Sequence, residues 1–144
     1  MWMDLINELT KDYKFQLPVT ESQLLELESL LQVELPKSLK GLLLESNGVI
    51  GEYGCDIIWT LERIKKDNFE FRNNKDFKEL YMPFDHLLFF ADAGNGNQFA
   101  FPILNGKIVR NDIYVWNHED DSRTWISSSL SSFIKGWING TISV

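Results

Sequence analysis

Trp2, Leu5, Ile6, Leu9 and Tyr13 recur at spacings of three and four, the period of one helical face, and predict a short amphipathic helix. Pro18 closes that region. Thr20 followed by Gln23 spells a capping box, in which each side chain satisfies a backbone N–H at a helix start. Leu24, Leu25, Leu27, Leu30 and Leu31 then give a broad apolar face, so the second helix is expected to be well buried. Leu35-Pro36 marks a break, because the residue before proline is pushed out of the α region. Pro36 suits the first turn of a third helix with the stripe Leu39, Leu42 and Leu43, and Asn47-Gly48 can end it in a left-handed conformation.

Downstream the period shortens. Ile57, Ile58 and Trp59 read as a strand, and residues 60–66 as one helical turn or two. Residues 69–85 mix aromatics with Lys, Asp and Asn and show no legible period. Apolar runs from Leu87 onward predict strands at 87–91, 98–104, 107–110, 113–116 and 123–126. Asn105-Gly106 is a strong hairpin signal between two of them, and 117–122 is a polar turn. Leu130, Phe133, Ile134, Trp137 and Ile138 share a last helical face, with Gly140 beyond it. This order predicts a single α+β domain over residues 1–144, with N-terminal helices, a central mainly antiparallel sheet and a C-terminal helix. Helices packed on one sheet face would leave the other partly free.

Composition narrows the classes of function. A chain of 144 residues that is 44% hydrophobic and 13% aromatic can build a real core. Its 21 acids exceed its 14 bases for a net charge of −7, shared by both halves, which disfavours direct nucleic-acid binding and suits a basic protein partner. A single cysteine, Cys55, precludes an intramolecular disulfide. The acidic N-terminal segment is unlike a signal peptide, and no apolar run is long enough to span a membrane, so a cytoplasmic protein is expected.

The stretch 87–102, reading LLFFADAGNGNQFAFP, sets a small polar loop between two aromatic runs. A dinucleotide fingerprint fails there, because Phe99 stands where the third glycine belongs and a strand follows instead of a helix. A calcium loop fails because Gly94 and Gly96 occupy positions that need oxygen ligands. The loop reads as a hairpin bend with Asp92, Asn95 and Asn97 exposed at the sheet edge. His118-Glu119-Asp120-Asp121 is the densest titratable cluster, but a zinc-protease helix needs a second histidine at position 122, which is Ser122. Three acids in an exposed turn are more simply a solvated charge run, with Arg123 able to pair with Glu119 or Asp121.

Cys55 and the serines at 127–129 lack a base, and the serines suit a helix N-terminus. His86 reads as a loop or strand-end residue. Trp2, Trp59, Trp125 and Trp137 fall on apolar stripes or runs and read as core or half-buried. Trp116 is either an aromatic anchor for a partner or a sheet residue packed on the last helix.

Several segments, in order, resemble the SUKH superfamily, which includes fungal cell-wall assembly regulators and many bacterial immunity proteins. They are Leu35-Pro36-Lys37-Ser38-Leu39-Lys40 running into Leu43-Leu44-Glu45-Ser46-Asn47-Gly48, then Leu88-Phe89-Phe90-Ala91-Asp92 with Gly94-Asn95-Gly96-Asn97-Gln98-Phe99. The third runs from Val115 through Arg123 and continues in Ser129, Leu130, Phe133 and Trp137. The resemblance covers about residues 20 to 139; the first helix and 60–85 carry little of it.

It implies a non-catalytic α+β domain with no cofactor or metal, which in bacteria binds and neutralises a cognate protein toxin, often a nuclease. On that reading Asp92, Asn95, Asn97, Trp116, His118, Glu119, Asp120 and Asp121 are candidate partner contacts on the sheet surface and its loops. The alternatives are a regulatory scaffold of the fungal kind binding a cellular protein, and a small metal-dependent enzyme using His118 and the acidic turn.

Overall fold

The capping box forms as spelled. Thr20 Oγ1 accepts from Gln23 N at 3.2 Å and Gln23 Oε1 accepts from Thr20 N at 2.8 Å. The computed structural model describes residues 1–144, the side chain of Tyr53 excepted. Its N-terminal helices are α1 (Trp2–Leu9), α2 (Glu21–Leu31) and α3 (Lys37–Glu45). Leu24, Leu27 and Leu31 bury one side of α2, but Leu25 is 66% and Leu30 44% exposed. Five leucines span more of the helix than its single packed side covers, so the expected broad burial is only half realised.

Glu45, at the end of α3, takes the free N–H groups at the start of α1, accepting from Trp2 N at 3.0 Å and Met3 N at 3.1 Å. Burial alone would raise its pKa, but these backbone donors and the terminal amine hold it below the usual carboxylate range. A depressed folded pKa means that the contribution is present above the ordinary carboxylate pKa and is lost as pH falls through the depressed value. Glu45→Ala should cost about 0.5–2 kcal/mol, as loss of a helix N-cap does, and speed amide exchange at the start of α1.

Two antiparallel sheets follow. The smaller joins β1 (Lys14–Phe15), β2 (Val49–Ile50) and β3 (Asp56–Ile58) in that order. Two-residue strands are too short to show a period, so β1 and β2 have no signature in the sequence. Gly48, at φ 84°, lets the chain pass close to β3; a Cβ there would stand 2.9 Å from the Ile58 carbonyl oxygen. The larger sheet is a meander of β4 (Leu87–Asp92), β5 (Gln98–Pro102), β6 (Ile113–Trp116) and β7 (Arg123–Ser127). The expected strand at 107–110 does not form. Asn105 and Gly106 make the turn at φ 54° and 76°, but only a lone bridge from Leu104 to Lys107 follows.

Between the sheets, α4 (Leu61–Asn73) and α5 (Lys75–Leu80) extend well past the one or two turns expected. Their apolar stripe is thin, since only Leu61, Ile64 and Asn68 of α4 are buried. The C-terminal α6 (Leu130–Asn139) starts on Ser129, whose Oγ accepts from Ser132 N, and ends at Gly140 in the left-handed region.

Both faces of the larger sheet are covered, contrary to the expected free face. On one, Phe71 of α4 and Phe77 of α5, with Tyr81 and Phe84, pack on Phe89 and Trp116 through ring centroids 4.8–6.5 Å apart. On the other, Phe133 and Trp137 of α6 meet Phe90 and Phe99, with Phe101 stacked on Phe90. Helices on both sides explain why β4 is buried along five of its six residues without alternation.

The outer edge of β4 is closed too. Asn68 of α4 accepts from Phe89 N at 2.8 Å and donates to Phe89 O at 2.8 Å, standing in for a neighbouring strand. Next to it, Trp59 N donates to Phe90 O at 2.8 Å, tying the smaller sheet to the larger. A register shift between Phe89 and Ala91 marks a bulge there.

Candidate partner-binding surface

The loop after β4 turns on Gly94 and Gly96, at φ 85° and 100°. Asp92 Oδ1 accepts from Gly94 N at 2.8 Å, and Asn95 Oδ1 from Asn97 N at 3.0 Å. Asp92 is not free at the edge as expected. Its Oδ2 accepts from the Trp59 indole at 2.8 Å and pairs with Arg63 at 2.9 Å. Arg63 lies over the Trp59 ring, 4.2 Å from its centroid, and also reaches Asp67 and Asp56. Asn97 is only 6% exposed, so of the three loop residues Asn95 alone is exposed, and its Nδ2 donates to Val144 O at 3.0 Å.

The second loop, 117–122, is the polar turn expected. Asn117 Oδ1 accepts from Glu119 N, Asp120 Oδ1 from Ser122 N, and Asp121 N donates to Asn117 O. The Ser122 hydroxyl and its backbone N–H hold the Asp120 carboxyl below the usual range. Asp121, at φ 60°, points inward. It accepts from the Trp116 indole at 2.7 Å, Arg123 Nη2 at 3.1 Å and Met82 N at 2.8 Å. Burial would raise its pKa, yet these donors hold it low. Arg123 completes the knot by donating to Pro83 O and Met82 O while its guanidinium lies over Phe84. Arg123 thus pairs with Asp121, one of the two partners expected.

Two candidate contacts therefore turn inward, one buried and one half-buried. Trp116 is buried under Phe71, Tyr81 and Phe84, on the face opposite the last helix. Asp121 is a structural acceptor. Trp125 departs in the other direction, at 52% exposed, with its indole donating to Asp112 at 3.1 Å. As an edge-strand residue it lies beyond the cover of α4 and α5.

The fold joins the two loops. Asn97 Oδ1 accepts from His118 N at 3.2 Å and lies 2.8 Å from His118 Nδ1. The imidazole packs so closely on Gly96 that a Cβ there would fall 2.8 Å from the ring. Tyr81 donates its hydroxyl to His118 O. The result is one polar rim on which Asn95, Glu119 and Asp120 are exposed and His118 half-exposed, above a layer of Asn97, Trp116 and Asp121. Among the described residues, no three His, Cys, Asp or Glu side chains converge closely enough to hold a metal ion.

Sequence reasoning missed Arg63 and its three carboxylates, whose only local trace is the Arg63–Asp67 spacing on one helix. It also missed Asn68, Met82 and the exposure of Trp125.

A family model, SUKH_6, described as SMI1-KNR4 cell-wall, matches residues 21–134. The chain belongs to the SUKH superfamily. The match runs from the first residue of α2 to the buried Ile134 of α6, and so takes in the polar rim and leaves out α1 and β1. SUKH domains are generally non-catalytic and act by binding other proteins. No curated protein matches this SUKH chain. Among the described residues, no helix is long and apolar enough to cross a membrane.

Proposed function

We propose that this SUKH protein is an immunity protein, which neutralises a cognate toxin of the basic nuclease kind by binding it through the polar rim. The observation that carries the reading is that Glu119 and Asp120 stand exposed on a turn whose backbone is pinned by Asn117, Asn97 and Asp121. Neither carboxylate has a cation within ion-pair distance among the described residues. Two fixed, uncompensated acids on a molecule of net charge −7 suit a basic surface, where they would occupy the place of nucleic-acid phosphates. Asn95 and His118 flank them as hydrogen-bonding groups, while Asp92, Asn97, Trp116 and Asp121 support the loops from below.

The test is co-expression with the proteins encoded beside this gene, followed by purification and a toxicity assay. A stoichiometric complex and rescue of growth are expected; an isolated gene with no toxic neighbour would overturn the reading. In such a complex, the double change Glu119→Lys and Asp120→Lys should slow association about tenfold or more at low ionic strength, an effect that shrinks as salt is added. Stopped-flow measurement at two salt concentrations checks it.

A further inference from the structure

The larger sheet has two edges, and only one is closed. At β4, Asn68 and Trp59 occupy the outward N–H and C=O groups of Phe89 and the C=O of Phe90. At β7, among the described residues, backbone hydrogen bonds run only to β6 and into the adjoining turn. In an antiparallel ladder every second residue then directs its N–H and C=O outward, unpaired. Residues 123–127 contain no proline or lysine, and the one charge, Arg123, is turned back onto Pro83 and Met82. The one device that blunts this edge, a register shift that leaves Ile126 without a β6 partner, falls at its far end beyond Trp125. Trp125 stands in the middle of this edge, half exposed, with its indole steadied by Asp112.

We propose that β7 is a docking edge that takes an extended, basic segment of the partner protein as a fifth strand of the sheet. This rests on the protein-binding reading above and adds to it the mode of binding and the chemistry of the segment. The start of β7 adjoins the turn bearing Glu119 and Asp120, which have no cation within ion-pair distance among the described residues, while Arg123, the nearest in sequence, is spent on Asp121 and two carbonyls. Basic side chains of an added strand would meet those acids. Apolar side chains on its other positions would meet Trp125 and, at the start of β7, the exposed Met82. A second copy of the chain is the other conceivable strand, but it would bring a net charge of −7 to a surface already acidic.

The probe is a hexapeptide of alternating lysine and valine, titrated into the full chain labelled for amide NMR. The expected result is shifts confined to residues 123–127, the Trp125 indole and the 117–122 turn, with new protection of the outward β7 amides. N-methylation of alternate peptide nitrogens, which removes ladder donors but no charge, should abolish binding. Trp125→Lys, an exposed position that leaves the core intact, should weaken it about tenfold or more.

No binding at millimolar peptide, equal binding by the N-methylated or a glutamate–valine peptide, or shifts elsewhere would each overturn the proposal. A concentration-dependent dimer of the protein alone, abolished by Trp125→Lys, would overturn it in favour of the second copy. If a toxin co-purifies but its affinity ignores Trp125→Lys, the docking edge fails while the immunity reading stands. If the peptide binds as expected but no toxin co-purifies, the immunity reading fails alone.

Discussion

Asp121→Ala is expected to remove about 3–5 kcal/mol of stability, the range found when one partner of a mostly buried ion pair is deleted. Asp121 and Arg123 are only 15% and 16% exposed at the side chain, so solvent screening takes little from their interaction. Deleting the carboxylate strands three donors at once: the Trp116 indole, the Met82 N–H and the Arg123 guanidinium. Alanine also accepts φ 60° less readily than aspartate. Asp121→Asn tolerates that backbone and isolates the loss of charge, so it should cost less.

The pH dependence follows from the depressed carboxyl. Because its folded pKa lies below the unfolded one, the stabilisation is complete above the ordinary carboxylate range and fades as pH falls through the folded value. Urea denaturation between neutral and strongly acidic pH should show a shallower acid loss in Asp121→Asn than in the parent. On the proposed reading of the rim, the same variant should also weaken partner binding, since the turn carrying Glu119 and Asp120 is fastened to the core through Asp121.

Asn68→Ala is expected to cost about 2–4 kcal/mol, because the buried N–H and C=O of Phe89 lose their partners, each worth about 1–3 kcal/mol when left unsatisfied. The better helix propensity of alanine, a few tenths of a kcal/mol, offsets little of this. Asn68→Asp separates the two bonds. It keeps an acceptor for Phe89 N but, once ionised, cannot donate to Phe89 O or Ile64 O. Chemical denaturation gives the magnitude, and native-state exchange at the Phe89 amide gives the location. An unchanged exchange rate there would show that the β4 edge does not depend on Asn68.

The two residues illustrate what a linear reading can and cannot reach. In sequence, Asp121 is one acid of three in a polar run and Asn68 one polar residue in an amphipathic stretch without a clear stripe. Nothing local separates Asp121 from Asp120, although one is a half-buried hub and the other an exposed carboxylate held only by Ser122. The deciding donors come from residues five and 39 positions away for Asp121, and from 21 positions away for Asn68. For the same reason Trp116 and Trp125, in the apolar runs of the last two strands, have opposite fates. The difference is which of them lies beneath α4 and α5, helices that the residues at 69–85 did not announce.

By itself the sequence determined what is settled within about four residues. That includes the starts of α2, α3 and α6 at Thr20, Pro36 and Ser129 and the left-handed turns at Asn105-Gly106 and Gly140; the order of such segments then carried the mainly antiparallel sheet and the SUKH resemblance. Capping, proline geometry and positive φ are local energies, so they are written in local residue types. Only the tertiary structure decided that both sheet faces are covered and that β4 is closed by a side chain while β7 is open. It also decided that four of the eight candidate contacts, Asp92, Asn97, Trp116 and Asp121, are buried or half-buried and hydrogen-bonded within the chain, while Asn95, Glu119 and Asp120 are exposed. Exposure and hydrogen-bond partnership belong to pairs of segments, and no period along one segment can encode which other segment will lie on top of it.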